Sequence, residues 1–419
     1  MMIMTSIILL MAIYGEFTFD SKISRIKATN IMDKSQAKLL AESGLQLALT
    51  RLKLYKEAFN KVQSNQNAKS LVTPQLINQL WEVPFVYPIP VGKEATVAFK
   101  DTVSKFENES FLQGEMRVTI ENISSRMNLN LIRIRKIGSI SGESAEDDTA
   151  ATSVLNISDT GIMSNVSVDQ SLYFLLKKLV EDKKSKDIGF EERYENLNYQ
   201  ELFSNLKFFI SDFQSYNAPD APARFNDLGM TPKFGPLSSG SELYSIPGWN
   251  DELIELIKNE FSVYPSTQID LNKITANMLK ILIPNITDDA ISDFFLWRDD
   301  PESPKFINTK ADFKRYVVDQ ERLMTDGAFE ERMQLFEKRG ITFGSNPNLF
   351  KIISEGNFNR STYKLIAYVV LPKPDVKKPQ APQKNPDGTP IVNPTPPPAQ
   401  PTDQVTQLMD PRVVEIQIN

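Results

Sequence analysis

The chain opens on an apolar run, Met1 to Gly15, that contains no charged residue. At a helical rise of about 1.5 Å per residue this run covers about 22 Å, short of the roughly 30 Å hydrocarbon core of a bilayer. From Glu16 to about Phe59 the pattern stays helical and no proline interrupts it. The two stretches together predict one long helix, residues 1–59, whose halves meet different surroundings. Ile7, Ile8, Leu9 and Leu10 belong to the half that would enter a membrane. In the second half Ala37, Ala41, Gly44, Leu45, Ala48, Leu52 and Tyr55 recur at steps of three and four and so share one face. Lys38, Glu42, Gln46, Arg51 and Lys56 fall mostly on the other face. The small residues Ala37, Ala41, Gly44 and Ala48 would let this helix approach a packing partner closely. A cleaved secretory signal is the competing reading, but the run shows neither a basic start nor a small-residue cleavage site, so a retained anchor is expected.

Further along, Pro74, Pro84, Pro88 and Pro90 predict irregular chain over residues 60–95. Ala95 to Lys100 and Gly114 to Glu121 alternate apolar and polar residues, as half-buried strands do. Gly138 to Val168 turns to Ser, Thr, Gly, Asp and Glu and reads as a flexible insertion or linker. Helical patterns follow at 170–182, 199–213, 251–261, 278–283, 288–298, 310–318 and 321–340, the last closed by Gly340. The charge-rich residues 181–195 read as a solvated connection. Strand patterns return at 349–355 and 361–371 around a turn at 356–360. A proline-rich stretch, 372–411, resembles a polyproline linker or extended loop, and Val413 to Ile418 closes the chain as a strand.

Strands at both ends with helices between them predict an α+β architecture, a sheet interrupted by a helical insertion. The expected division is a first helix at 1–59, the first part of a sheet at 60–131, and an inserted α-helical domain at 132–344. The second part of the sheet follows at 345–371, then the proline-rich stretch at 372–411 and a final strand at 412–419.

Length allows two domains with a core each. A net charge of −6, mixed in sign, favours neither nucleic acid nor an anionic surface as partner. With no cysteine and no histidine, disulfides, thiolate sites, the Ser-His-Asp triad and the usual zinc and iron sites are excluded. Carboxylate chemistry is left. The pairs Asp270 with Asp288 or Asp289, and Asp299 with Asp300, could be acid and base, although adjacent aspartates more often cap helices. The loop from Asp212 to Asp227 carries three carboxylates, two asparagines and two prolines, a form that hard cations such as calcium favour. An uncoordinated polar loop is the simpler reading of the same residues, because the spacing matches no EF-hand.

Several pieces in order resemble one family, the K-class minor pseudopilins of the type II (general) secretion pathway. Ser35 to Leu49 is similar to its helix segment, Met127-Asn-Leu-Asn130 to its first asparagine-rich turn, and Leu206 to Asp212 to its helix end. Ser241-Glu-Leu243 with Ile246-Pro-Gly248, and Ile269-Asp-Leu-Asn272 with Thr275-Ala276, resemble its later motifs. The resemblance implies a pilin-like fold, a long N-terminal helix packed on an antiparallel sheet with a large α-helical domain inserted in that sheet. It implies a non-enzymatic role: a tip heterotrimer with two other minor pseudopilins, contact with the major pseudopilin and secreted substrates, and single-pass anchoring in the inner membrane with the folded domain in the periplasm. It also places Met1 a few residues inside the family's mature helix. The family lacks an early glutamate, and none occurs here before Glu16. Its calcium loop offers an aspartate where this chain has Gln214, so calcium at Asp212, Asn217 and Asp220 departs from the pattern. The alternative is a helix-hairpin-helix nucleic-acid module at Ile246-Pro-Gly248 and Ile269 to Asn272. The turns of such a module would be Pro247-Gly-Trp-Asn250 and Pro284-Asn-Ile-Thr287, and the flanking Asp251, Glu252, Asp288 and Asp289 speak against phosphate binding.

Overall fold

In the computed structural model the described residues are 2–64, 72, 74–92, 94–135, 167–266, 268–284, 286–300, 302, 305–371 and 410–418. Most of the linker predicted at 138–168 and most of the proline-rich stretch at 372–411 lie outside them. Contacts divide the chain into two compact units, Met1–Ile120 with Ile352–Asn419, and Glu121–Lys351.

The first unit is built on helix α1, Met2–Ser64, 63 residues without a break. Hydroxyls that could compete with its backbone are absorbed locally: Thr18, Thr29 and Thr50 donate to the carbonyls of Tyr14, Arg25 and Gln46. The second half of α1 packs on a five-stranded sheet formed by β1 (Phe85–Tyr87), β2 (Glu115–Asn122), β3 (Leu349–Phe358), β4 (Ser361–Val370) and β5 (Arg412–Ile418), in that spatial order. β1 runs antiparallel to β2 with Phe85 opposite Val118, and β5 antiparallel to β4 with Ile418 opposite Leu365. Met116, Val118 and Ile120 on β2, with Tyr363, Leu365, Ala367 and Val369 on β4, supply the buried alternation.

The helix sits unusually close to the sheet because glycines stand on both sides of the contact. A Cβ on Gly356 of β3 would collide with the Ala37 carbonyl oxygen and lie 2.8 Å from the Ala41 nitrogen. One on Gly44 would lie 2.7 Å from Val118 Cγ2. The Ser354 hydroxyl fills the remaining gap and donates to the Ala41 carbonyl at 2.7 Å. At the β3–β4 turn, Asn359 has the left-handed φ of 51° that asparagine tolerates, and its amide donates to Asp33 Oδ1 at 2.9 Å. The turn is therefore tighter than the predicted 356–360, and Gly356 is strand.

Several expectations are corrected. Ala95 to Lys100 is not a strand. Thr96 accepts the Phe99 N–H and opens helix α3, Val97–Ser110, whose Val103 is buried and whose Phe106 ring meets Tyr87 edge-on at 6.4 Å. Six alternating residues are too few to outweigh a cap followed by apolar positions at helical spacing. Residues 60–95 hold helix α2, Pro74–Glu82, as well as β1. Proline at the first helical position forfeits no hydrogen bond, and Ile77 and Trp81 bury one face. α2 packs against the later turns of α1, with Trp81 edge-on to Tyr55 at 6.3 Å. Lys56 is buried rather than on an open polar face, its ammonium 5.8 Å from the Phe59 ring centroid. Arg51, also on that side, donates to the carbonyls of Leu80 at 2.8 Å and Val83 at 2.6 Å, and burial lowers its pKa.

The second unit contains helices α4 (Val168–Lys184), α5 (Ile188–Tyr194), α6 (Tyr199–Ile210), α7 (Ala221–Asp227), α8 (Asp251–Ile257), α9 (Ala276–Leu282), α10 (Asp288–Arg298), α11 (Lys310–Lys314) and α12 (Asp326–Lys338). α5 lies in the supposed connection at 181–195, where Asp187 caps the Phe190 N–H and Phe190 is buried. α7 lies in the supposed loop at 212–227, started by Pro222 in its first turn and held by buried Phe225. Gly340, at φ 79°, follows the end of α12.

The two asparagine-rich turns do the same work twice. Met127-Asn128 pairs parallel with Phe261-Ser262, and Gln268–Asp270 pairs parallel with Thr342–Gly344. In the first, Asn128 Oδ1 accepts the Asn130 N–H, and the Asn130 amide accepts from Leu237 N at 2.7 Å while donating to Leu237 O at 3.0 Å. In the second, Asp270 Oδ1 accepts the Asn272 N–H, and Asn272 accepts from Ile307 N at 2.8 Å while donating to Ile307 O at 2.9 Å. A primary amide has both a donor and an acceptor, so it can replace one peptide group of a missing strand. That is why both turns need asparagine.

Candidate functional site

Two regions hold the residues picked out from sequence. The first is α1. Ile7, Ile8, Leu9 and Leu10 are 49%, 67%, 64% and 66% exposed, and the large apolar residues from Ile3 to Phe19 face outward all round the helix. α1 is long and apolar enough to cross a membrane, and its apolar window buries nothing inside the molecule. Beyond it, Ala37, Ala41 and Ala48 are fully buried and Gly44 is buried with them on the sheet. Buried and exposed residues follow each other on one rigid element.

The second region is the segment after α6. Asp212 is already matched by a cation: Arg133 Nη2 lies 2.5 Å from its Oδ1. The backbone there is tied to Ile134, whose carbonyl accepts from the Asp212 N–H at 3.0 Å and from the Ser215 hydroxyl at 3.1 Å. Asn217 and Asp220 are exposed, and Asp220 stands at the start of α7 without a side-chain cap bond. Calcium takes six to eight oxygens. Two carboxylates, one of them neutralised by a guanidinium, and one amide do not fit that demand. Among the described residues no group of three acidic side chains is placed to hold a metal.

Beside this loop lies a feature that motif reading missed. Phe208, Phe213, Gln214, Tyr216, Asn217, Ala218, Pro222, Phe225, Asn226, Pro232 and Phe234 line a cleft of about 540 Å³. Its rings are set against one another: Phe213 and Phe234 cross edge-on at 5.1 Å, and Phe208 meets Phe234 at 5.5 Å and Phe225 at 5.7 Å. Behind it the buried Lys207 pairs with Asp169 at 2.7 Å and holds its ammonium 5.1 Å from the Tyr216 ring. Gln214 and Phe234, both lining the cleft, have left-handed backbones at φ 64° and 50°, a conformation that costs a residue other than glycine of order 1–3 kcal/mol. The available signal was the density of phenylalanine and proline between 208 and 234, which has no period and so carries no secondary-structure message.

The proposed acid pairs do not form. Asp270 is buried on its asparagine partners, Asp288 pairs with Lys280, and Asp299 pairs with its neighbour Arg298 at 2.7 Å. These cations hold Asp288 and Asp299 below the usual carboxylate range, whereas burial pushes Asp270 up. The turns ending at Asn250 and Thr287 lead into α8 and α10, whose first turns carry Asp251, Glu252, Asp288 and Asp289. Carboxylates stand where a phosphate would have to sit.

No protein-family model matches the sequence, and no curated protein matches it. Among solved structures, a chain of the crystal structure of the GspK-GspI-GspJ complex from the type 2 secretion system of enterotoxigenic Escherichia coli is similar to this one, with 16% identity and a TM-score of 0.49, over 83% of this chain and 95% of that chain.

Proposed function

We propose that this chain is a structural, non-enzymatic subunit of a type II secretion pseudopilus, a minor pseudopilin of the tip. In this reading the first part of α1 is held in the inner membrane, and the sheet and helical units lie in the periplasm. The observation that carries it is the change of environment along α1, from wholly exposed apolar residues to a small-residue stripe buried on an antiparallel sheet. Burying each large apolar side chain between Ile3 and Phe19 is worth about 1.5–3 kcal/mol, so the exposed end needs either lipid or a bundle of like helices. The same end can therefore rest in the membrane and later join a fibre core. In this reading its partners are two other minor pseudopilins and the major pseudopilin.

Co-purification from membranes with the neighbouring tip subunits tests this proposal. The full chain should be recovered with them, and deletion of Met1 to Phe19 should leave a soluble, folded protein that no longer supports secretion. A full chain that salt washing alone releases from membranes, or that is monodisperse and shows no affinity for those subunits, would overturn it.

A further inference from the structure

The cleft beside α6 and α7 has no part in anchoring, and its chemistry is specific. Its volume of about 540 Å³ falls in the usual range for ligand sites, which are mostly apolar walls with a few polar groups to set orientation. Here the walls are the rings of Phe208, Phe213, Phe225 and Phe234, and the polar groups are the neutral amides of Gln214, Asn217 and Asn226. Among the described residues no charged side chain lines it. A charged ligand would lose its hydration there without gaining a counter-ion. An uncharged segment with flat, rigid side chains would lose little and could offer backbone carbonyls to the amides.

The chain carries such a sequence itself. From Gly388 to Thr402 there is no Lys, Arg, Asp or Glu, although 24% of the whole chain is charged, and the run contains Pro390, Pro394, Pro396, Pro397, Pro398 and Pro401. Proline-rich segments dock on aromatic grooves as a general mode, because proline rings pack on aromatic faces and the peptide has little conformational freedom left to lose. We propose that the cleft is a receptor for an uncharged, proline-rich extended peptide, of which Gly388 to Thr402 is the instance at hand. Phe213, 61% exposed at the rim, would close one side over the bound prolines.

The test uses the full chain in lipid nanodiscs with its own six prolines between Gly388 and Thr402 replaced by alanine, so that the tethered copy does not compete for the cleft, and a fluorescein-labelled peptide of the native sequence Gly388 to Thr402. Fluorescence anisotropy should show saturable binding, weakened about tenfold, the equivalent of 1.4 kcal/mol, by Phe213→Ser in the protein. Replacing the six prolines of the peptide by alanine should weaken it at least as much, with no further change to the protein. No saturable binding, or binding indifferent to both changes, would overturn the proposal. Either result is separate from co-purification with tip subunits, which tests the role of α1.

Discussion

Gly356 lies directly against the backbone of α1, and its substitution tests how the long helix is seated. In an unconstrained site Gly→Ala stabilises by about 0.4–1 kcal/mol, because the unfolded chain loses freedom. At Gly356 the new methyl would meet the Ala37 carbonyl oxygen, with Ala41 N and Leu40 Cβ each at 2.8 Å. Two of those three atoms are helix backbone, which cannot rotate away. The helix as a whole must lift, at the overpacking cost of about 1–3 kcal/mol or more. The net expectation for Gly356→Ala is a loss of about 2 kcal/mol, and at about 2–4 °C per kcal/mol for a unit of this size the melting temperature falls by about 4–8 °C. Calorimetry on the chain from Asp20 onward reads this directly. Gly92→Ala is the control, since a Cβ there would meet nothing within 4 Å. If Gly356→Ala melts at or above the wild-type temperature, the helix does not lie on β3 at this distance and the argument fails.

Asn130→Ala removes bonds to Leu237 N, Leu237 O and Val263 O, and Asn272→Ala removes two to Ile307. Each should cost about 2–4 kcal/mol, read as a shift in urea midpoint, and a loss under about 0.5 kcal/mol would count against the turn's role. Burial raises the Asp270 carboxyl above its unfolded value near 3.9, so the folded state binds that proton more tightly and its contribution to stability falls as pH climbs through the raised value. Asp270→Asn abolishes this fall: its stability relative to wild type should improve from about pH 4 towards pH 7, and parallel urea-midpoint curves would refute the reading. Because Arg133 already neutralises Asp212, adding millimolar calcium or chelator should leave melting within about 1 °C, whereas saturation to 100 times a dissociation constant would stabilise by about 2.7 kcal/mol.

The local sequence determined much of this protein. An unbroken apolar run passing into a step-of-three-and-four stripe reads as one continuous helix, and α1 is that helix. The long alternations at Gly114 to Glu121, Leu349 to Glu355 and Ser361 to Leu371 were legible as strands because one buried face repeats every second residue over enough positions to exclude a helix. The short alternation at Ala95 to Lys100 lacked that length, and the cap at Thr96 decided otherwise. Other features existed only once distant segments met. Arg133 and Asp212 are 79 residues apart, so nothing in the calcium-like loop announced that its carboxylate was taken. Lys56 looked solvent-facing but is buried in the folded unit, and Gly356 looked like a turn residue until Ala37 was found above it. The aromatic cleft belongs to the same class, since rings from α6, α7 and the loops beside them make a wall only in three dimensions. Periodicity reports what one element buries along its own length; pairing, coverage and cavities depend on which elements come together, and that information is spread over residues far apart in the chain.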